Sequence, residues 1–152
     1  METITKSIDV NVPVRTAYNQ WTQFEEFPHF MEGVEEVEQI DDTRLHWVAN
    51  MGGKRKEWYA RITEQIPDKR ISWCDEGGTV ISGVVTFHYL DRNKTRVTVQ
   101  IGYEPEGVSE KIGVMIGVVS RRVEGDLERF RDFIEERGRE TGGWRGTVQE
   151  HR

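Results

Sequence analysis

Cysteine occurs once in the 152 residues, at Cys74. One thiol excludes an internal disulfide and any paired-cysteine metal knuckle. Nowhere do about 18 apolar residues run together, so no transmembrane helix is expected. The opening stretch, METITKSIDVNVP, alternates polar with apolar residues and lacks the basic-then-apolar order of a secretory signal. A basic surplus is missing too: 21 Lys+Arg stand against 27 Asp+Glu, a formal net charge of -6. Nucleic-acid phosphates require a basic face, so no nucleic-acid partner is expected. These absences together predict a cytoplasmic, soluble chain.

Reactive motifs are scarce as well. The four histidines, His29, His46, His88 and His151, show no H-x-x-x-H or HExxH spacing. No Gly-x-Ser-x-Gly elbow is present. Gly52-Gly53-Lys54 and Gly77-Gly78 read as hairpin glycines and fit no phosphate loop. No catalytic residue, metal ligand or cofactor is assigned.

Aromatic residues are what the chain does have. Five Trp, six Phe and four Tyr fall within a hydrophobic share of only 36%, while charged residues make up 32%. The surface is therefore well solvated, and the core is built from large side chains.

Hydrophobic periodicity places the elements. Ile4, Ile8, Val10 and Val12 share one parity, interrupted by Lys6, and predict a half-buried strand. Pro13 then suits a helix start, and the spacing of Val14, Ala17, Tyr18 and Trp21 predicts a short helix. Phe24–Met31 is apolar but broken by Pro28, with room for one helical turn. Strands are predicted over 34–40, 43–50, 55–66, 70–74, 79–90 and 95–103. On the third of these Trp58, Ala60, Ile62 and Ile66 share a face; on the next, Ile71 and Trp73 do. From 108 to 134 the apolar steps become three and four, one face of a long helix capped by Ser109 and stopped at Gly138. Residues 139–152 read as a loose tail after a domain over 1–138.

Seven strands followed by one long amphipathic helix is an α+β pattern. A curved seven-stranded antiparallel sheet wrapped around that helix, with short helices between strands 1 and 2, leaves an apolar cavity suited to a small molecule. The stretch from Trp21 through Phe24, Phe27-Pro28-His29-Phe30-Met31 to Val34 resembles the START-like helix-grip superfamily. So do His46-Trp47, Gly53, Trp58, Pro67, Ile71-Ser72-Trp73, Gly83–Phe87, Thr95-Arg96-Val97 and Asp126-Leu127. The chain is most similar to its bacterial polyketide cyclase/dehydrase and coenzyme Q-binding group, over about Thr3 to Arg137. The resemblance implies binding of a lipid, an isoprenoid quinone or a polyketide-like aromatic. It also implies two alternatives: a cyclase, aromatase or dehydrase acting in the same cavity, or an interaction or stress-response protein whose cavity is filled.

Trp47, Trp58 and Trp73 lie on the apolar parity of three strands and form either an aromatic wall or ordinary core. Val85, Phe87, Val99, Ile101, Met115 and Val119 sit mid-strand or mid-helix, where a cavity is widest. Phe27, Phe30 and Met31 make a lid, a plug, or an edge that touches a membrane transiently during ligand pickup. For chemistry in the cavity the candidates would be Tyr89, Tyr103, Arg61 and Arg122. Asp126 is expected to pair with Arg122 one turn earlier on the helix.

Overall fold

A computed structural model describes the backbone of residues 2–51, 53–76, 81–103 and 110–149, and the side chains of 3–50, 53–76, 82–102 and 120–149. Strand β1 (Glu2–Val10) leads into helix α1 (Val14–Trp21) and a 3₁₀ turn (Phe24–His29). Strands β2 (Val34–Gln39), β3 (Arg44–Met51), β4 (Lys54–Ile66), β5 (Arg70–Glu76), β6 (Ile81–Asp91) and β7 (Lys94–Tyr103) follow. Helix α2 (Glu110–Arg137) and a two-residue strand β8 (Val148–Gln149) complete the described elements. The strand order is β1-β7-β6-β5-β4-β3-β2, with β8 paired to the far end of β4. All the described pairings are antiparallel; between β2 and β7 the short hairpin connections dictate this. This is the helix-grip arrangement that the resemblance implied, with β8 as an addition.

The short helices obey local rules. Pro13 precedes α1 and its carbonyl accepts the Ala17 amide at 3.1 Å. The helix ends where the Thr22 hydroxyl bonds the Asn19 carbonyl at 2.6 Å. Pro28 confines the next segment to a 3₁₀ turn, which swings Phe24 and Phe27 inward, 4% and 2% exposed.

Inside the sheet, Val97 and Val99 pack with Val10, Val85 and Phe87, and α2 brings Leu127, Phe130 and Ile134 down onto them. The helical step of three and four puts those residues on one stripe. Gly138 closes α2 at φ +73°, and its amide bonds the Ile134 carbonyl at 2.9 Å, a left-handed ending that glycine adopts without a Cβ penalty. The Ser109 cap lies outside the described residues.

One interruption finds its partner, and two expectations change. Lys6, which interrupts the inner parity of β1, reaches the helix and pairs with Glu124 at 3.3 Å. On β4 a bulge between Ile62 and Glu64 shifts the alternation, so Gln65 is 1% exposed while Ile66 is only half-buried. An extra residue in one strand turns every later side chain over. Residues 139–149 are tied down where a loose tail was expected. The Thr141 amide donates to Gln20 Oε1 at 2.8 Å and Gln20 Nε2 to Thr141 Oγ1 at 3.1 Å. The Trp144 amide reaches Thr22 Oγ1 at 3.0 Å. Arg145 bridges Asn19 and Asp68, each at 2.7 Å.

Candidate functional site

Between sheet and helix lies a cavity of about 200 Å³. Cross-strand register assembles its wall. Trp47 on β3 stands opposite Trp58 on β4, with ring centroids 5.9 Å apart and planes 9° from parallel. Further along, Ile62 faces Trp73, and Trp73 in turn faces Gly83 on β6. The indole of Trp73 occupies the space a side chain at 83 would take: a Cβ built there would lie 2.7 Å from Cε2. Val99 and Ile101 from β7, Val123 and Leu127 from α2, and Trp21, Phe24, Phe27 and Met31 from the α1 end enclose the rest. A second space of about 150 Å³ shares Met31, Trp47, Trp58, Val123 and Asp126 and adds Glu32, Val34, Ala49 and Arg122.

Of the residues singled out in the sequence, Trp47, Trp58, Trp73, Val99, Ile101, Phe27 and Met31 are brought together around this cavity. Val85, Phe87 and Phe30 are not. Val85 is fully buried in the sheet core. Phe87 meets Tyr18 edge-on at 5.4 Å and Trp21 at 6.4 Å, so α1 covers it. Phe30 packs between Trp21, Phe27 and Phe130 at 5.2–6.2 Å, buried in the aromatic core. The side chains of Met115 and Val119 lie outside those described. Among the chemical candidates, Tyr89 is 66% exposed, and Arg61 is exposed and donates to Cys74 Sγ at 3.6 Å. Tyr103 lies outside the described side chains, and Arg122 borders the second space. His46, expected to face solvent, is half-buried and sits 3.6 Å from Glu57, whereas His88 is exposed.

Two carboxyls line the cavity, and neither was assigned from sequence. Asp126 accepts the Glu32 amide at 3.0 Å and forms an ion pair with Arg129, whose Nε also holds the Phe30 carbonyl at 2.9 Å. Its pairing partner is thus Arg129 rather than Arg122, three residues on instead of four back. Burial raises the Asp126 carboxyl above its ordinary range, and the Glu32 amide and the two arginines pull against that rise. Asp75 has no hydrogen-bond or ion-pair partner among the described residues, and burial alone pushes it up to about 6. Its signal was present in the sequence: it continues the parity of Ile71 and Trp73. On the same cavity wall, Trp47 Nε1 is buried without an acceptor among the described residues.

Comparison with known proteins bears on the family and the fold. A family profile described as polyketide cyclase / dehydrase and lipid transport matches residues 10–131. A Streptomyces lincolnensis protein, named an uncharacterized 17.2 kDa protein in the melC2-rnhH intergenic region, is 57% identical over 149 residues, covering 97% of this chain and 99% of that one. The crystal structure of the Zhui aromatase/cyclase from a Streptomyces species matches with TM-score 0.77 at 16% identity, over 94% of this chain and 99% of that one. DR_A0006 from Deinococcus radiodurans matches with TM-score 0.68 at 25% identity, over 90% and 99%. The fold is START-like.

Proposed function

This chain belongs to the polyketide cyclase/dehydrase and lipid transport family, and on that premise we propose that it binds a hydrophobic small molecule in the cavity between sheet and α2. The observation that carries the reading is the aromatic wall of Trp47, Trp58 and Trp73 around about 200 Å³ of apolar space. Dry apolar cavities of about 150 Å³ take up benzene, so this space suits one ring system or a short stretch of isoprenoid or acyl chain. A flat aromatic of polyketide type, a quinone ring or a lipid tail all meet that description.

Cyclase or dehydrase chemistry in the same cavity is the second reading, favoured by the likeness to the Streptomyces aromatase/cyclase. The alternative of a filled cavity fits poorly with the space between Trp58 and Leu127. Membrane pickup through residues 27–31 would require Phe27 and Phe30, 2% and 1% exposed, to leave the core.

The test is mass spectrometry of an organic extract of the purified protein, paired with native mass spectrometry. A recovered hydrophobic compound, lost in a Trp58→Ala variant, is the expected result. No retained compound and no binding of any aromatic probe would remove the reading.

A further inference from the structure

Asp75 is the point at which this cavity departs from a simple apolar pocket. It lies on β5 on the same face as Ile71 and Trp73, opposite Ala60 on β4, and the small Ala60 side chain leaves the space beside the carboxyl open. Among the described residues, the groups on the neighbouring elements give it no countercharge. From β4 come Trp58, Ala60 and Ile62 and from β7 come Val99 and Ile101, all apolar; from α2 come Val123, Leu127 and Asp126. Asp126 is already matched by Arg129 and the Glu32 amide. Arg122 borders the adjoining space with Asp126, and its charge acts on that residue. Among the described residues, Asp75 is therefore the one uncompensated carboxyl in the cavity wall.

An ionised carboxylate without a partner is costly in such surroundings. A cation arriving with the ligand offsets that cost, and the faces of nearby indoles attract the same cation. We propose that the cavity selects a ring-bearing hydrophobic ligand that carries a protonated amine, with the ammonium against the Asp75 carboxylate and the ring among Trp47, Trp58 and Trp73. The same arrangement disfavours carboxylate ligands, which would meet Asp75, Asp126 and, at the adjoining space, Glu32. With its carboxyl near 6, Asp75 is about nine-tenths ionised at neutral pH and holds its charge when such a ligand arrives. The inference rests on the reading of this cavity as a ligand site.

Three probes of matched shape test it: 2-(1-naphthyl)ethylamine, 2-(1-naphthyl)ethanol and 1-naphthylacetate, titrated calorimetrically into the intact protein. At about pH 7.5 the amine is expected to bind about ten-fold more tightly than the alcohol, and the acetate most weakly. Asp75→Asn should abolish the preference for the amine while leaving alcohol binding in place. In the unaltered protein, lowering the pH to about 5 should shrink the amine-to-alcohol ratio as Asp75 takes up a proton. Equal binding of amine and alcohol, or a ratio that does not change with pH, overturns the amine proposal and leaves the cavity reading standing. Failure of all three probes to bind overturns both.

Discussion

The indole of Trp73 lies against Gly83, its partner across β5 and β6, in the space where any larger residue would place a side chain. The glycine sets how far the ring withdraws from the cavity. Gly83→Ala should push the indole toward Ile62 and Ile101, narrowing the space. We expect a loss of about 1–3 kcal/mol of stability from overpacking, read from urea unfolding, together with weaker binding of a naphthalene probe. Unchanged binding would mean that the ring's position does not control the cavity.

Trp58 and Phe87 separate wall from core. Trp58 lines the cavity and is only half-buried, whereas Phe87 is 5% exposed and packed on Tyr18 and Trp21. Phe87→Ala should cost about 3–5 kcal/mol of stability with little effect on probe affinity once folded protein is compared. Trp58→Ala should cost less stability and weaken an aromatic probe by about ten-fold, through lost stacking and apolar contact. Unfolding curves and probe titrations on both variants check the contrast.

This contrast also marks how far the sequence could be read. Alternation along β6 and β7 names the inward face, and the inward residues are where it puts them. It does not say that α1 covers Phe87 while Val99 and Ile101 stay open to the cavity, because that depends on where a helix distant in sequence settles. The parity of β5 extended one step beyond Trp73 would have pointed to Asp75. On β4 the bulge after Ile62 was not legible, since hydrophobic Ile66 continued the pattern that the chain breaks by burying Gln65. Asp126 found Arg129 rather than Arg122 because both are one turn away, and the Phe30 carbonyl holds Arg129 in place.

Asp75 gives stability a defined pH dependence. Its carboxyl is raised from 3.8 to about 6 on folding, so the folded state holds the proton more tightly. That contribution is complete below about pH 4 and is lost as the pH rises through about 6. With solvent screening at a partly open site, the change is about 1–2 kcal/mol. Asp126 is raised too and adds a slope of the same sign. Asp9 is lowered by its Arg96 hydrogen bond and Asp41 by the Thr43 amide, so both act in the opposite direction, at lower pH. The difference between the parent and Asp75→Asn isolates the one group. The variant should be the more stable near neutral pH, and the two should converge near pH 4. Parallel curves across that range would show that Asp75 keeps an ordinary carboxyl in the folded state.

The strap formed by residues 140–149 accounts for a polar residue in an apolar place. Gln20 has no exposed surface, and its amide is satisfied by Thr141 in both directions. Asn19 relies on Glu140 and Arg145, and Asp68 on Arg145. Deleting residues 140–152 removes these partners and the β8 pairing with Glu64 and Gln65. Each lost hydrogen bond contributes about 1 kcal/mol, though the newly opened surface lets water replace some of them, so we expect a fall of about 2–5 kcal/mol in urea unfolding. Gln20→Met in the shortened chain should recover part of that loss, because an apolar side chain of similar length needs no partner. In the full chain the same substitution should destabilise, since it strips the Thr141 amide of its acceptor. Equal effects in both chains would show that Gln20 and the strap act independently.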